Sequence, residues 1–453
     1  MKKPTPELEH LYYKFQTSNG VSIDSRTITQ DQIFFALVDE RDGHDYVLPA
    51  LRAGAALCVV EKDIVVPKKF QSKLFRVKNT LKTLQELAGH HRSTLEIPVI
   101  AIGGSNGKTT TKELTVAVLK KRYNVAYSKS SFNNHIGVPL SILATDYSHD
   151  IAVYELGTNH AGEMELLLDI AQPTHGVVTN IGKEHLEGFK DLAGVAAEES
   201  KLYESIVTRD GYSFVPDSLP KSVINKTDKK SRTLFSPAAT VYIDAYTESF
   251  QITDIQQTLP SVQMTLKSGK GKTMSLKTHL AGSVNIYNIL TALAIGVCFH
   301  VPLQKSLAAL SAYRPTNMRS QMISWRGADL LLDCYNANPS SMNAMLDDLQ
   351  SITDKKLVLV IGGMREMGGS EHREHAALLR KIAKLEPYEA FFIGPEFAPF
   401  ENQILKKGWF FYTDVATALS ETVSYIPPKK SLIFAKGSNG NAVQKFFDIV
   451  KIS

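Results

Sequence analysis

The residues from Gly104 to Thr110 combine the side chains and backbone that bind phosphate groups. They follow an apolar run, residues 98–102, that ends at Gly103, and they open a segment with apolar residues at helical spacing. Glycines let the backbone approach phosphates closely, and a helix N-terminus adds partial positive charge. Lys108 would reach the β- and γ-phosphates, and Thr109 would ligate Mg²⁺. The predicted nucleotide-binding residues of this loop are Gly104, Ser105, Asn106, Gly107, Lys108, Thr109 and Thr110.

The spacing of this loop departs from the common phosphate-loop motif, in which four residues separate an initial glycine from the Gly-Lys pair. The position six residues before Lys108 holds Ile102, and two glycines stand closer to the lysine. An ordinary P-loop kinase or GTPase is therefore not predicted. The short form resembles the loop of the Mur ligases and folylpolyglutamate synthetases. These ATP-dependent enzymes join an amino group to a carboxylate through an acyl phosphate.

Further segments extend the resemblance over most of the chain and in the same order. Residues 131–139, 155–160 and 179–188 are similar to motifs of the central domain of the Mur ligase family. Residues 333–339 and 362–368 resemble the family member that adds D-alanyl-D-alanine to UDP-MurNAc-tripeptide in peptidoglycan precursor synthesis. The run Tyr-Asn-Ala-Asn-Pro within 333–339 separates that member from the ligases that add the earlier residues.

The chemistry of these ligases sets what the site must supply. A free carboxylate is a poor acyl donor at neutral pH, so it is phosphorylated first. The enzyme brings several anionic groups together, and it therefore needs Mg²⁺ and fixed positive charge. The resemblance implies Thr109 and Glu155 as ligands of a first metal ion, with His185 beside a second. The predicted catalytic residues are Lys108, Glu155, His185 and Glu199.

Residue 199 is where the chain departs from the family pattern. The family carries a lysine on the helix after the 179–188 segment, and CO2 converts it to a carbamate that helps hold the second metal. Ungapped alignment places Glu199 there, and Lys201 falls roughly on the opposite helix face. A glutamate presents a similar pair of negative oxygens without CO2. Two alternatives stay open: an alignment shifted by two residues, which would give Lys201 that role, and a solvated acidic helix face.

The resemblance also assigns residues to the nucleotide and to the two substrates. Asn288 would lie near the adenine, Arg319 would reach ATP from the C-terminal domain, and Asp333 would contact the ribose or the hinge. Two positions depart from the family, because Val284 stands where histidine is frequent and Asn439 where arginine is frequent. The predicted substrate-binding residues are Ser25 and Arg26 at the pyrophosphate of the nucleotide sugar, then Asn133, Asn134, His135, Tyr335, Asn336, Asn338 and Lys436.

The composition predicts a soluble globular protein. The chain has 453 residues, of which 43% are hydrophobic and 21% charged, and this length suggests about three domains. A net charge of +5 with dispersed basic residues does not favour nucleic-acid binding. Three scattered cysteines predict neither a disulfide framework nor a zinc site. The first twenty residues have no signal-peptide pattern, and the apolar stretch 289–301 is too short for a membrane span. We expect a cytoplasmic monomer without membrane insertion.

The elements that must position these residues alternate between strands and helices, which is typical of parallel α/β domains. Apolar runs at 98–103, 151–156 and 176–181 predict buried strands, residues 286–298 predict a helix, and residues 210–280 predict short antiparallel strands. A linker is predicted near 313–315. Beyond it, strands are predicted at 330–333, 357–362, 390–394 and 432–437.

The predicted fold class is therefore α/β, with the three-domain architecture of the Mur ligases. A UDP-sugar-binding domain would cover residues 1–95, a central P-loop ATPase domain 96–313, and a C-terminal Rossmann-like domain that binds the amine substrate 314–453. The predicted activity is ATP- and Mg²⁺-dependent addition of D-alanyl-D-alanine to UDP-MurNAc-tripeptide. The alternatives are a sibling Mur ligase, a folylpolyglutamate synthetase and a catalytically silent protein on the same scaffold.

Overall fold

The computed structural model contains four β-sheets with helices packed around them. It describes residues 4–129, 132–238, 240–242, 249–316, 318–404 and 406–447. Ser131, the first residue of the segment 131–139, lies outside these ranges, and so do residues 243–248 of the predicted antiparallel region.

The first sheet consists of four short parallel strands near the N-terminus. They are β1 (Val21–Ser22), β2 (Ile33–Phe35), β3 (Leu57–Val60) and β4 (Leu74–Arg76), adjacent in that order. The accompanying helices are α1 (Pro6–Gln16), α2 (Val47–Arg52) and α3 (Thr80–Thr94). The Thr5 side chain caps α1, and Asn79 caps α3 in the same way. These caps satisfy backbone N–H groups that the first helical turn leaves without partners.

The second sheet is parallel and carries the phosphate loop. Its strands are β5 (Val99–Gly103), β6 (Val125–Tyr127), β7 (Ile151–Glu155), β8 (His175–Val178), β9 (Tyr212–Pro216) and β10 (Arg232–Phe235). The strand order is β10-β9-β8-β5-β7-β6. Its helices are α4 (Lys108–Leu119), α5 (Gly137–Leu143), α6 (Glu163–Ala171), α7 (Leu186–Phe189), α8 (Leu192–Thr208) and α9 (Lys221–Ile224). The central strand β5 lies between β7 and β8, so the three carboxyl ends meet at one edge, where ligands bind in such sheets.

The prediction of antiparallel strands throughout residues 210–280 was wrong in its first part. Strands β9 and β10 pair in parallel with the second sheet. Four of the five residues of β9 are buried, and a continuous buried run of this kind belongs to a parallel strand covered on both faces. The antiparallel third sheet follows, with β11 (Thr240–Tyr242), β12 (Ser249–Gln257), β13 (Gln263–Ser268) and β14 (Thr273–Lys277).

Two helices complete this region, α10 (Val284–Cys298) and α11 (Leu303–Ala312). Helix α10 is buried along almost its whole length, and its apolar residues share one core with α4. The described residues between α11 and the next strand form no helix or strand, which agrees with the predicted linker.

The fourth sheet lies in the C-terminal third. Its strands are β15 (Gln321–Trp325), β16 (Ala328–Asp333), β17 (Lys356–Gly362), β18 (Glu389–Ile393), β19 (Trp409–Tyr412) and β20 (Ser431–Lys436). The strand order is β15-β16-β20-β17-β18-β19, and only the edge strand β15 pairs antiparallel among the described strands. The helices are α12 (Pro339–Leu349), α13 (Glu371–Leu385), α14 (Ala398–Glu401) and α15 (Val415–Thr422).

The domain boundaries at residues 96 and 314 stay predictions. The first two sheets share a hydrophobic core, in which Leu84 and Leu87 of α3 belong to the same cluster as Val99 and Tyr154. In the described part of the chain, no helix is both long enough and apolar enough to cross a membrane.

Candidate active site

Two glycines of the loop between β5 and α4 have left-handed backbone conformations and are closely covered. Gly104 has φ of 107° and Gly107 has φ of 81°. A Cβ atom at Gly104 would lie 2.3 Å from Oγ1 of Thr179, and one at Gly107 would lie 2.6 Å from Oδ1 of Asn288. A larger residue at either position would strain the backbone and clash with its neighbour. The loop is therefore shaped by contacts with the 179–180 segment and with α10.

Lys108 begins α4 and faces three carboxylates. Its Nζ donates a hydrogen bond to the carbonyl of Gly104 at 2.5 Å. Partial burial alone would lower the pKa of this ammonium, but the charges of Glu184, Glu199 and Glu155 outweigh that effect and hold its pKa above the ordinary value. Lys108 is therefore a fixed positive charge at the end of the phosphate loop.

Thr109 and Glu155 form a buried pair of oxygen donors. The Thr109 hydroxyl lies 2.9 and 3.1 Å from the two carboxylate oxygens of Glu155, which ends β7. The Asn133 amide donates to the same carboxylate at 2.9 Å, and the Lys112 ammonium lies 3.8 Å away. Glu155 is 2% exposed, so its charge is held by this set of neighbours rather than by solvent.

This pair fits the first predicted metal ion. Mg²⁺ prefers hard oxygen ligands, keeps several waters and takes few ligands from the protein when it also binds phosphates. A hydroxyl and a carboxylate side by side supply that contribution. The described residues contain no group of three or more His, Cys, Asp or Glu side chains arranged to hold a metal by themselves.

Glu199 lies directly beneath the phosphate loop. It is 1% exposed, and its carboxylate accepts hydrogen bonds from the Gly104 N–H at 2.5 Å and from the Thr158 hydroxyl at 3.1 Å. Burial raises the pKa of this carboxyl, although the nearby Lys108 opposes the effect. Helix α8 thus directs residue 199 at the loop.

Lys201 points elsewhere on α8. Its Nζ lies 2.8 Å from Glu198 and 3.2 Å from Glu165. Glu198 itself accepts hydrogen bonds from the backbone N–H groups of Gly162 and Met164 at the start of α6. Lys201 and Glu198 therefore belong to a structural cap on α6 and not to the phosphate loop.

His185 contacts the C-terminal third of the chain. Its Nδ1 lies 2.5 Å from the Glu366 carboxylate, and its Nε2 lies 4.0 Å from Glu184. Burial lowers the pKa of the His185 imidazole, against the opposing influence of Glu366. Burial likewise raises the pKa of Glu184 to about 7. The role of His185 as a metal ligand stays a prediction.

One cavity of about 310 Å³ brings together residues from the phosphate loop and from the C-terminal third. The predicted site residues that line it are Asn106, Gly107, Thr110, Asn288, Arg319, Asp333, Tyr335, Asn336 and Lys436. The other predicted residues of the phosphate loop are sequence neighbours of these residues but do not line the cavity. The cavity is therefore shared between the second and fourth sheets.

The C-terminal wall of this cavity is held by charged contacts. Lys436, at the end of β20, donates to Asp333 at 2.6 Å and to the Asn336 carbonyl at 3.0 Å. The Arg319 guanidinium stacks 3.6 Å from the centre of the Tyr335 ring. Because Lys436 is almost fully buried, its pairing with Asp333 fixes the loop that carries Tyr335 and Asn336.

The cavity is not lined by Ser25, Arg26, Asn134 or His135, which are all predicted to bind substrate. Ser25 and Arg26 stand in the loop after β1, where the exposed guanidinium pairs with Asp24 at 2.6 Å. The Asn134 side chain accepts from the backbone of residues 136 and 137 at the start of α5, and the His135 carbonyl accepts from Gln85. These contacts are structural, and a substrate role for these residues stays a prediction.

Sequence reasoning passed over several residues of the site. Glu184 stands inside the 179–188 segment but was not singled out, although a buried acid beside a phosphate loop is a functional signal. Lys183 forms an ion pair with Glu374 at 2.9 Å between the two parts of the site. No periodicity or motif could have indicated that pairing, because it depends on how the fourth sheet is placed.

Comparison with known proteins agrees with this arrangement. The model of the Mur ligase middle domain matches residues 102–296, and the model of the Mur ligase, glutamate ligase domain matches residues 318–439. A Bacillus subtilis (strain 168) protein named UDP-N-acetylmuramoyl-tripeptide–D-alanyl-D-alanine ligase is 31% identical, with 97% of this chain and 94% of that protein aligned.

Solved structures give the same result for the fold. Crystal structure I of MurF from Acinetobacter baumannii is 25% identical, covers 96% of this chain and 97% of its own, and has a TM-score of 0.83. The MurF ligase of Thermotoga maritima in complex with ADP is 20% identical, with a TM-score of 0.78 over 98% of each chain. The predicted three-domain fold class is confirmed by these likenesses. The two matched family models together cover more than half of the chain, which therefore belongs to the Mur ligase family.

Proposed function

We propose that this chain is the ATP-dependent ligase that adds D-alanyl-D-alanine to UDP-MurNAc-tripeptide in the cytoplasm, with release of ADP and phosphate. The observation that carries the proposal is the single cavity lined both by the phosphate loop and by the loop of residues 333–338. Relatives that bear this activity in their names align over nearly the whole chain, which supports the same substrates.

The reaction needs two steps on one carboxylate. A carboxylate oxygen of the tripeptide attacks the γ-phosphorus of ATP, which breaks the bond to ADP and forms an acyl phosphate. The amine of the dipeptide then attacks the carbonyl carbon and loses a proton, and phosphate leaves with the original carboxylate oxygen. Lys108 and the backbone N–H groups at the start of α4 stabilise the negative charge that moves between these groups.

Thr109 and Glu155 would hold Mg²⁺, which neutralises the β- and γ-phosphates when bound. The hydroxyl and the carboxylate contact each other directly at the start of α4. Asn133 orients the carboxylate by donating to one of its oxygens. The chain's own contribution is therefore a prearranged pair of hard donors with a fixed orientation.

We assign Glu199, rather than Lys201, to the place of the family's carbamate-bearing lysine. Glu199 reaches the phosphate loop through the Gly104 N–H, whereas Lys201 is occupied by Glu198 and Glu165. The side chain places two carboxyl oxygens beside Lys108 and needs no CO2. The predicted substrate roles of Tyr335, Asn336 and Lys436 belong to the amine side of the same cavity.

The amine substrate provides the direct test. We expect rapid phosphate release with UDP-MurNAc-tripeptide, ATP and D-alanyl-D-alanine, and little release with free D-alanine, D-glutamate, L-lysine or meso-diaminopimelate. Reactions that lack the tripeptide provide the control for uncoupled ATP hydrolysis. Faster turnover with a single amino acid, or with glutamate and a folate, would assign the chain to a sibling activity. ATP binding without turnover on any amine would favour a silent scaffold.

A further inference from the structure

Helix α12 of the C-terminal third forms part of the cavity wall. Ser341, Ala344 and Met345 on this helix line the cavity. The helix contacts the phosphate loop at its N-terminus and the start of α10 near its C-terminus, and both of these belong to the region of the second sheet. Its placement therefore depends on contacts at two separate points.

The first contact is made by Asn338, the residue that caps α12. Its Oδ1 accepts from the Ser341 N–H at 2.9 Å, and its Nδ2 donates to Oδ1 of Asn106 in the phosphate loop at 2.8 Å. Asn106 is held in turn, because its N–H donates to Asn180 and its carbonyl accepts from Thr179. Asn338 is 3% exposed, and both ends of its amide are occupied. This geometry favours positioning over direct substrate binding.

The second contact is made by Asp348, ten residues farther along. Its Oδ2 accepts from the Ser283 N–H at 2.7 Å and from the Ser283 hydroxyl at 3.0 Å. Ser283 precedes α10, and its own side chain makes no capping hydrogen bond. The carboxylate of Asp348 therefore stands at the positive end of α10, in the place of a cap supplied by another part of the chain.

The backbone around Ser283 permits this close approach. Gly282 has φ of 93°, and a Cβ atom there would lie 2.8 Å from Cε of Met345 and 3.2 Å from Oδ2 of Asp348. Between the two contacts, the Ser340 hydroxyl accepts from the Lys183 N–H at 2.8 Å. The helix thus touches the second-sheet region along its length.

We propose that Asn338 and Asp348 are positioning residues. They hold α12 in place against the cavity in which the nucleotide would bind. The inference rests on the proposed ATP site. It adds the residues that hold the fourth-sheet region against the second-sheet region while a nucleotide is bound. A nucleotide in this cavity contacts both the second-sheet region and the fourth-sheet region only while the contacts of Asn338 and Asp348 are intact. Loss of either contact therefore lowers nucleotide affinity, because more molecules adopt a state in which the two regions are apart.

The test uses Asp348→Ala with Asp347→Ala as its matched control. Asp347 is the preceding residue of the same helix, is largely exposed and pairs with Lys381 instead. We expect Asp348→Ala to weaken ADP binding, measured by calorimetry, about tenfold to a hundredfold, because a charged acceptor of two hydrogen bonds is lost. The KM for ATP should rise by a similar factor, whereas kcat at saturating ATP should fall far less. Asp347→Ala should bind ADP like the wild type.

A second variant protects the test from a folding defect. Asn338→Ser keeps a hydroxyl oxygen that can cap α12 but removes the amide that donates to Asn106, so it should lower ADP affinity with a melting temperature close to that of the wild type. The interdomain distance between spin labels at Lys229→Cys and Val423→Cys, both exposed positions, should lengthen in Asp348→Ala and in Asn338→Ser with ADP bound.

Wild-type affinity and an unchanged label distance in both of these variants would overturn the inference. A wild type that binds ADP but does not use D-alanyl-D-alanine would refute the proposed substrate, whereas the affinity loss in the variants would still support the roles of Asn338 and Asp348. A wild type that binds no ADP would overturn both proposals.

Discussion

Substitution of Glu199 separates the two ways of aligning α8 with the family. Glu199→Gln keeps the size of the side chain and removes its charge. The carboxylate accepts hydrogen bonds from the Gly104 N–H and the Thr158 hydroxyl, and a glutamine oxygen can keep one of them. Loss of one hydrogen bond to a charged group costs roughly 1.5–3 kcal/mol. Burial raises the pKa of the Glu199 carboxyl, which means that the charged form is costly to bury. Replacing it by a neutral amide removes that cost and offsets part of the lost hydrogen bond, so the variant should fold.

The effect of Glu199→Gln on turnover should be much larger than its effect on stability. Removal of one prearranged electrostatic contact typically costs a factor of about 10²–10³ in kcat. We therefore expect phosphate release at least a hundredfold slower than in the wild type. Wild-type activity should be the same in CO2-depleted buffer as with added bicarbonate, because no carbamate forms.

Lys201→Ala provides the matched control on the same helix. Its pair with Glu165 lies near the surface, where such pairs contribute about 0.2–1 kcal/mol. The buried Glu198 would keep its hydrogen bonds from the backbone N–H groups of Gly162 and Met164. Phosphate release should stay close to that of the wild type. An inactive Lys201→Ala protein, together with bicarbonate restoring activity to CO2-depleted wild type, would refute the assignment of Glu199 and shift the alignment by two residues.

Three further predictions concern the loop and the core. Lys108→Ala should abolish turnover with little change in melting temperature, because phosphoryl transfer needs its charge; a folded, active variant would refute the ATP site. Burial lowers the pKa of His175 from 6.5 to about 4, so the unfolded chain binds the proton first as pH falls. The unfolding free energy, measured by denaturant titration, should therefore drop by up to about 3 kcal/mol between pH 7 and pH 4. His175→Phe can keep the packing on Phe214 and Phe299, and its unfolding free energy should lack this part of the pH dependence. Arg92→Ala should lower the unfolding free energy by roughly 3–5 kcal/mol, because the buried guanidinium serves four backbone carbonyls; a loss below about 1 kcal/mol would contradict this role.

The strands next to the phosphate loop could be predicted from the sequence. The apolar runs that end at Gly103 and near Glu155 are long, and each is followed by residues that could do chemistry. Both runs are strands in the structure, as predicted. Helix α1 was not predicted, although Thr5 and Pro6 are a recognisable start signal. Strands β9 and β10 were assigned to the wrong pairing because their Ser- and Thr-containing surroundings obscured two-sided burial.

The motifs indicated which residues could take part in the site but not how they contact one another. The pairing of Thr109 with Glu155 follows from adjacent strands and could be expected from parallel topology. The contacts of Asn338 with Asn106 and of Asp348 with Ser283 join residues 232 and 65 positions apart. They depend on how the fourth sheet lies against the second, and no local pattern specifies that placement.

The most direct test of the proposed reaction follows the oxygen atoms of the acceptor carboxylate. With ¹⁸O in both oxygens of the carboxylate that is joined, the wild-type enzyme, ATP and D-alanyl-D-alanine should release phosphate that carries one ¹⁸O. Mass spectrometry should show a product with the added dipeptide and the other ¹⁸O in the new amide, with one ADP formed per product. Unlabelled phosphate, or labelled phosphate without the dipeptide-bearing product, would contradict the account.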